Sequence, residues 1–270
     1  MTSDLSKNGF LILRNAISPK LNLEIQKIII SFFKKKNKNK SNYGAFEDIV
    51  LKSKIKKEYD FVSPLNDLIY SKNLVENIFL EKKIYKTLCD ILGKDLCYLV
   101  DNVLTLNIPN KESPEKNYHF KDWHQEIWSG ADISTLQFWT PLFQKNNKTG
   151  QMDFIIGSHK WGHIPHSNRK PLNLPEKFRI YRTNLNIGDI VLFTTTLVHR
   201  SVGTSHPRMA LPVLIKNFKY NNYSFERNRN WKIFSYAELT KIERALGNHY
   251  LSPYRIMDQN VKFDQGTIKK

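Results

Sequence analysis

Apolar and polar positions alternate in two different ways along this chain. Phe10 to Arg14 (FLILR) predicts a short strand, and Ser18-Pro19 then supplies an N-cap with proline at the first helical position. Leu23, Ile25, Ile28, Ile29, Phe32 and Phe33 continue at helical spacing to about Lys36. Ser63-Pro64 predicts the start of a second, short helix. Leu74, Ile78, Tyr85, Leu88 and Leu92 mark one face of a third, closed by Gly93. From there the pattern turns to short β-type runs: residues 97–108, 133–143, 152–156, 189–195 and 208–218. Loops rich in Asn, Lys, Pro and Gly separate them. Ser235 followed by Glu238 predicts a capping box for a last helix, with Gly247 just past its end. There is no internal repeat and no linker. The expected architecture is one domain over residues 1–270, mainly β with flanking helices, as a sandwich or barrel rather than a parallel α/β sheet.

The composition supports a packed domain. Sixteen Phe, twelve Tyr and five Trp in 270 residues can offset the entropy cost of ordering, which excludes disorder as the main state. The most apolar run, residues 28–33, is six residues long, against roughly 20 for a membrane span. The opening MTSDLSKNGF has no basic region followed by an apolar stretch, so no secretory signal is expected. Cys89 and Cys97 make neither a disulfide framework nor a zinc ribbon, and two reduced thiols fit a cytoplasmic protein.

A net charge of +17 would ordinarily suggest a polyanionic partner. However, Lys supplies 32 of the 42 cations and Asn occurs 26 times, the excess that A/T-rich codons produce without selection for binding. The charge is also spread away from the chemistry: residues 1–100 carry +7, 101–200 only +3, and 201–270 carry +7. The run at Lys34 to Lys40 is read as a solvated helix end. Nucleic acid is therefore not the expected partner; a small-molecule substrate is.

The candidate chemistry begins at DWHQEIW. His124 and Glu126 are two apart, so on an extended strand both would point to one face and make half of a metal site. His199, 75 residues on, follows the buried-looking run DIVLFTTTLV and completes a set of two imidazoles and one carboxylate. That set holds one face of a redox-active Fe(II) and leaves positions open for O2 and an organic co-substrate. Arg208 lies nine residues further. A hairpin between His199 and Arg208 would bring its guanidinium to the same mouth, where it could grip a carboxylate through two parallel hydrogen bonds. Ser201 shares a face with His199 by the period-two rule and is a second candidate donor. Thr105 and Asn107 share a face of the preceding strand, and one of them could support a co-substrate. His159, His163 and His166 do not suit a zinc site, since Gly157, Gly162 and Pro165 oppose a helix. A loop over the mouth, with His159 held structurally, is expected instead. Trp123 and Trp128 are expected in the core, and Trp161 is the more plausible substrate-facing aromatic.

In this order the motifs resemble the phytanoyl-CoA dioxygenase family of Fe(II)/2-oxoglutarate oxygenases. The resemblance rests on GFLILRNAIS (9–18), WHQE (123–126), FWTPL (138–142), KTGQMDFIIGSHKWGHIPH (148–166) and GDIVLFTTTLVHRSVGTSHPRMAL (188–211). It spans about 9–218, leaving 219–270 as a helical extension. The resemblance implies a double-stranded β-helix, or jelly roll, related to cupins. It implies iron bound by His124, Glu126 and His199, with 2-oxoglutarate held by Arg208 and Ser201 in a pocket lined by Trp139. O2 would be consumed, succinate and CO2 released, and a small or medium metabolite hydroxylated; the basic surface charge, apart from the resemblance, favours an anionic one. The carboxylate is Glu126 where most relatives carry Asp, one methylene or about 1.5 Å longer. Two alternatives accompany this reading: a non-catalytic jelly roll that binds a polyanion or sugar, and a nucleic-acid-directed oxygenase.

Overall fold

The computed structural model describes residues 2–36, 46–52, 58–100, 104–108, 122–145, 151–168, 170–203, 206–220 and 230–245. His119 and Gly247 lie outside these residues. The first half is helical: α1 (Thr2–Asn8), α2 (Pro19–Lys36), α3 (Phe46–Lys52), α4 (Glu58–Ser71), α5 (Leu74–Phe79) and α6 (Lys82–Leu92), interrupted only by β1 (Phe10–Leu13). The remainder carries β2 (Leu96–Leu99), β3 (Thr105–Asn107), β4 (Leu136–Phe143), β5 (Met152–Ile155), β6 (His166–Ser167), β7 (Lys170–Pro171) and β8 (Ile180–Arg182). β9 (Ile190–Thr194), β10 (His199–Ser201), β11 (Arg208–Asn217), β12 (Trp231–Ile233) and α7 (Glu238–Ala245) complete it.

Two antiparallel sheets make the core. The large one runs β1-β9-β4-β11-β2-β12, with β3 also pairing to β11, and the small one runs β10-β5-β8. The period of two assigns the faces. On the outer face of the large sheet Leu11, Leu13, Phe138, Ile190, Leu192, Leu211, Val213 and Ile215 pack beneath helix residues such as Ile25, Ile29, Leu65, Ile78 and Leu88. Their neighbours Phe10, Trp139, Val191, Phe193 and Ala210 turn inward and meet Met152 and Phe154 of the small sheet. The two sheets form a jelly-roll sandwich that does not close into a barrel.

The junction before β9 ties its two ends of sequence together. Gly188 adopts φ +95°, and an added Cβ would lie 3.3 Å from Ile17 O, so a side chain would be strained there. The buried Asp189 carboxylate then accepts hydrogen bonds from the backbone N–H of Asn15 and Asn186 (2.8 and 2.9 Å) and pairs with Arg14 at 2.8 Å. These contacts fasten β1 beside β9.

Several expected elements shift. Ser18 does cap α2, accepting from Leu21 N–H at 3.4 Å. Pro64 opens nothing: it lies inside α4, where the lost hydrogen bond is offset by burial of Val62 and Leu65 on either side. The third helix divides into α5 and α6, and Glu81 at the break accepts from Ser18. Ser235 is no capping box; its hydroxyl bonds Tyr85 at 2.7 Å, and Asp95 instead accepts from Ala237 N–H at the start of α7. The segment 97–108 yields two strands, and the C-terminal extension contributes β12 at the edge of the large sheet as well as a helix.

Candidate metal and co-substrate site

His124 and Glu126 do not share one strand. His124 forms an isolated antiparallel bridge with His199, through His124 N–H to His199 O (2.9 Å) and the reverse bond (3.0 Å). Gln125 is still extended, but Glu126 opens a short 3₁₀ turn, Glu126–Ser129. His199 begins β10 rather than ending the preceding strand, because the chain turns at Thr195 and Thr196. Backbone pairing therefore brings the two imidazoles together, and the turn folds the carboxylate onto them. Glu126 Oε1 lies 3.4 Å from His124 Nε2 and 3.3 Å from His199 Nε2.

Among the described residues these three are the group able to hold a metal ion, their ligand atoms lying within 4.8 Å of one another. Cis ligands on bonds of about 2.1 Å would be roughly 3 Å apart, close to this spacing. The imidazoles are also poised in the right tautomer. His124 Nδ1 hydrogen-bonds Asp122 O at 2.7 Å, and His199 Nδ1 hydrogen-bonds Leu197 O at 3.0 Å. A carbonyl can only accept, so each Nδ1 carries a proton and each Nε2 is the ring atom that faces the centre. Two imidazoles and one carboxylate, with both histidines buried, suit Fe(II) with open positions. The longer Glu126 side chain reaches this arrangement from the turn.

Gln125 is a positioning residue that the sequence reading passed over. Fully buried, it donates through Nε2 to Gly162 O (2.8 Å) and Thr196 O (2.5 Å) and accepts from Ile164 N–H (2.9 Å). It thereby fastens the 157–166 loop and the turn before His199 to the backbone between His124 and Glu126. Its type within H-Q-E was the only available signal. On the outer face of β5, Asp153 forms ion pairs with Arg182 (2.8 Å) and Arg200 (3.0 Å). Burial alone would raise the Asp153 carboxyl, but hydrogen bonds and charge from the two guanidiniums hold it below its usual range. Arg200 also covers the Trp123 ring at 4.3 Å, so the segments carrying His124 and His199 are braced from outside.

Arg208 reaches the interior without the expected hairpin. β10 belongs to the small sheet and β11 to the large one, and the chain crosses between them. Arg208 is 1% exposed; its guanidinium carbon lies 5.2 Å from the Trp139 ring centre, and Nη2 donates to Asn107 Oδ1 at 2.5 Å. Asn107 is the cross-strand partner of Arg208, and its buried Nδ2 has no hydrogen-bond partner among the described residues. Burial pushes the Arg208 guanidinium down to about 10. A cation and an amide donor buried side by side fit an anionic co-substrate. Ser201 lies opposite Met152 as His199 lies opposite Phe154, on the face shared with His199. Phe193 packs against the His199 ring at 4.7 Å.

Three further histidines make structural contacts. His159 Nε2 bonds Ser6 O at 3.0 Å, His166 stacks on Trp128 at 4.4 Å, and His206 pairs with Glu47 at 2.7 Å. Trp128 is buried and donates to Ile164 O at 3.0 Å, whereas Trp161 is exposed.

A family model described as Phytanoyl-CoA dioxygenase (PhyH) matches residues 5–210. No curated protein sequence matches the chain. Among solved structures, a "non-heme monooxygenase; ThoJ apo" aligns at TM-score 0.61 and 15% identity, over 87% of this chain and 84% of that one. The ThoJ-Ni complex aligns at 0.54 and 14%, covering 87% and 83%. The epimerase SnoN, in complex with Fe3+, alpha ketoglutarate and nogalamycin RO, aligns at 0.50 and 14%, covering 80% and 81%. At such identities these neighbours report the fold. With the family match spanning most of the chain and a two-histidine, one-glutamate cluster at the heart of its sandwich, this protein belongs to the phytanoyl-CoA dioxygenase family of Fe(II)- and 2-oxoglutarate-dependent oxygenases.

Proposed function

We propose that the protein is a cytoplasmic dioxygenase that hydroxylates a small or medium metabolite, with His124, Glu126 and His199 as the iron ligands. The observation that carries this reading is the convergence of candidate ligand atoms from His124, Glu126 and the distant His199 within 4.8 Å of one another. When bound, ferrous iron and 2-oxoglutarate supply O2 activation: one oxygen atom enters the product hydroxyl, the other enters succinate, and CO2 leaves.

The chain's own part is orientation and shielding. Leu197 O and Asp122 O hold the Nδ1 protons, so both Nε2 atoms stay available as donors. Glu126 would contribute one negative charge to the metal from its turn. Arg208 grips the far carboxylate of 2-oxoglutarate, Asn107 fixes the guanidinium plane, Ser201 is a second donor, and Trp139 is the pocket wall. Phe154 and Phe193 exclude water beside His199.

The test is succinate release measured against Fe(II), 2-oxoglutarate and O2, together with iron binding measured directly. Wild type is expected to require all three, and His124→Ala to lose both iron and succinate formation. Retention of iron by His124→Ala would refute the ligand assignment.

A further inference from the structure

At the far end of β11 from Arg208, Lys216 is 6% exposed, and the charge of the buried Asp132 acts on its amine. Its Nζ lies 4.4 Å from the centre of the Trp231 ring. The indole Nε1 of Trp231 is buried and lacks an acceptor among the described residues. A second polar group nearby is in the same state. Leu136 pairs with Ile215, so Thr135 and Lys216 are the next residues out on the two strands, and the buried Thr135 hydroxyl has no described partner. Leu99, Ala131 and Leu214 pack with Trp231 around them. Burial lowers the Lys216 amine, while the charges of Cys97 and Asp132 act in the opposite sense. The Asp132 Oδ1 itself accepts from Ser134 N–H and Oγ–H, both at 2.8 Å.

A buried indole N–H and a buried hydroxyl with no partner among the described residues are costly unless a ligand supplies one, and a lysine amine stands beside them. A charged amine in that setting selects an anion.

This corner adjoins the iron site. By the alternation along β11, Lys216 and Leu214 share the face of Ala210, which packs with Trp139 and Phe193. Phe193 pairs with Gln137, which pairs with Leu214, and Phe193 touches His199. Lys216 is therefore two strands over, about 10 Å, and two residues along, about 7 Å, from the floor beneath the metal ligands.

We propose that Lys216, Trp231 and Thr135 form a subsite for a carboxylate or phosphate group on the organic substrate, at the opposite end of the sandwich interior from Arg208. The substrate is then an anion whose reacting carbon lies several bonds from its charge. The substrate identification rests on the oxygenase reading; the anion site itself does not.

The experiment uses the full chain loaded with Fe(II) and 2-oxoglutarate without O2, so that the Arg208 pocket is filled. Hexyl phosphate, hexanoate and neutral hexanol are titrated calorimetrically, and the indole N–H resonance of Trp231 is followed by NMR, assigned with Trp231→Phe. Wild type is expected to bind one or both anions, to reject hexanol, and to shift the Trp231 resonance. Lys216→Met should weaken anion binding at least tenfold, and Lys216→Arg should retain most of it. Equal anion binding by wild type and Lys216→Met would overturn the proposal, as would hexanol binding as tightly as the anions. Iron binding, measured on the same samples, separates the two readings. Protein that holds the anions through Lys216 but binds no iron keeps the subsite and refutes the oxygenase.

Discussion

On one side of β11, Met209, Leu211, Val213 and Ile215 are sealed beneath the helices; on the other, Arg208, Ala210, Pro212, Leu214 and Lys216 face the sandwich interior. These four side chains of the first face are apolar, and each contributes about 1.5–3 kcal/mol by burial. The second carries an arginine and a lysine, both nearly removed from water, at a cost in stability. A single strand thus packs against the helices with one face, and with the other it carries the two cations that we propose recognise anions. The period of two lets the faces be specified independently, residue by residue.

The largest expected effect concerns the interior. Glu126→Ala removes the only carboxylate of the cluster, and iron affinity should fall by more than about a hundredfold, with activity following it and the fold intact by circular dichroism. Unaltered iron binding would show that Glu126 is not a ligand. Arg208→Ala comes next. Loss of a buried charge partner costs about 3–5 kcal/mol, so the 2-oxoglutarate requirement should rise by two orders of magnitude or more while iron binding barely changes. A co-substrate dependence equal to wild type would remove Arg208 from the pocket.

The outer face should respond in the opposite way. Leu211→Ala is expected to lower unfolding stability by about 2–5 kcal/mol, with little change in iron or 2-oxoglutarate affinity in the protein that remains folded. If Leu211→Ala instead altered co-substrate affinity tenfold at constant stability, the separation of the two faces would fail.

Asp153→Asn is the mildest change. The folded carboxyl is depressed, so its stabilisation is present above the unfolded value of about 4 and lost as pH falls through the lower folded value. The variant should therefore lose about 1–3 kcal/mol near neutral pH, and its melting curve should converge on wild type in acid. A difference that is constant with pH would mean that packing, not charge, is what Asp153 supplies.

Local pattern made much of this molecule readable. The strands around Phe10, Phe138, Phe154, Val191 and Leu211 follow from apolar runs bounded by turn residues. The cap at Ser18 follows from a hydroxyl beside a helical proline. Where the reading slipped, a distant partner outweighed the local signal. Ser235 looks like a cap in sequence, but its hydroxyl is engaged by Tyr85, 150 residues away. Pro64 looks like a start, but burial of its neighbours carries the helix through it.

The same division runs through the site. Residue types and order alone pointed to His124, Glu126, His199 and Arg208, because few side chains can bind iron or grip a carboxylate, and here they occur inside family motifs. Which backbone geometry joins them was not readable from the chain. His124 and Glu126 meet across a 3₁₀ turn and not along a strand, and Arg208 arrives from the other sheet and not from a hairpin. Gln125 and the unpartnered donors around Lys216 were invisible for a related reason. A hydrogen bond, or the want of one, depends on atoms brought together by pairing between strands far apart in sequence, and one chain read linearly does not contain those distances.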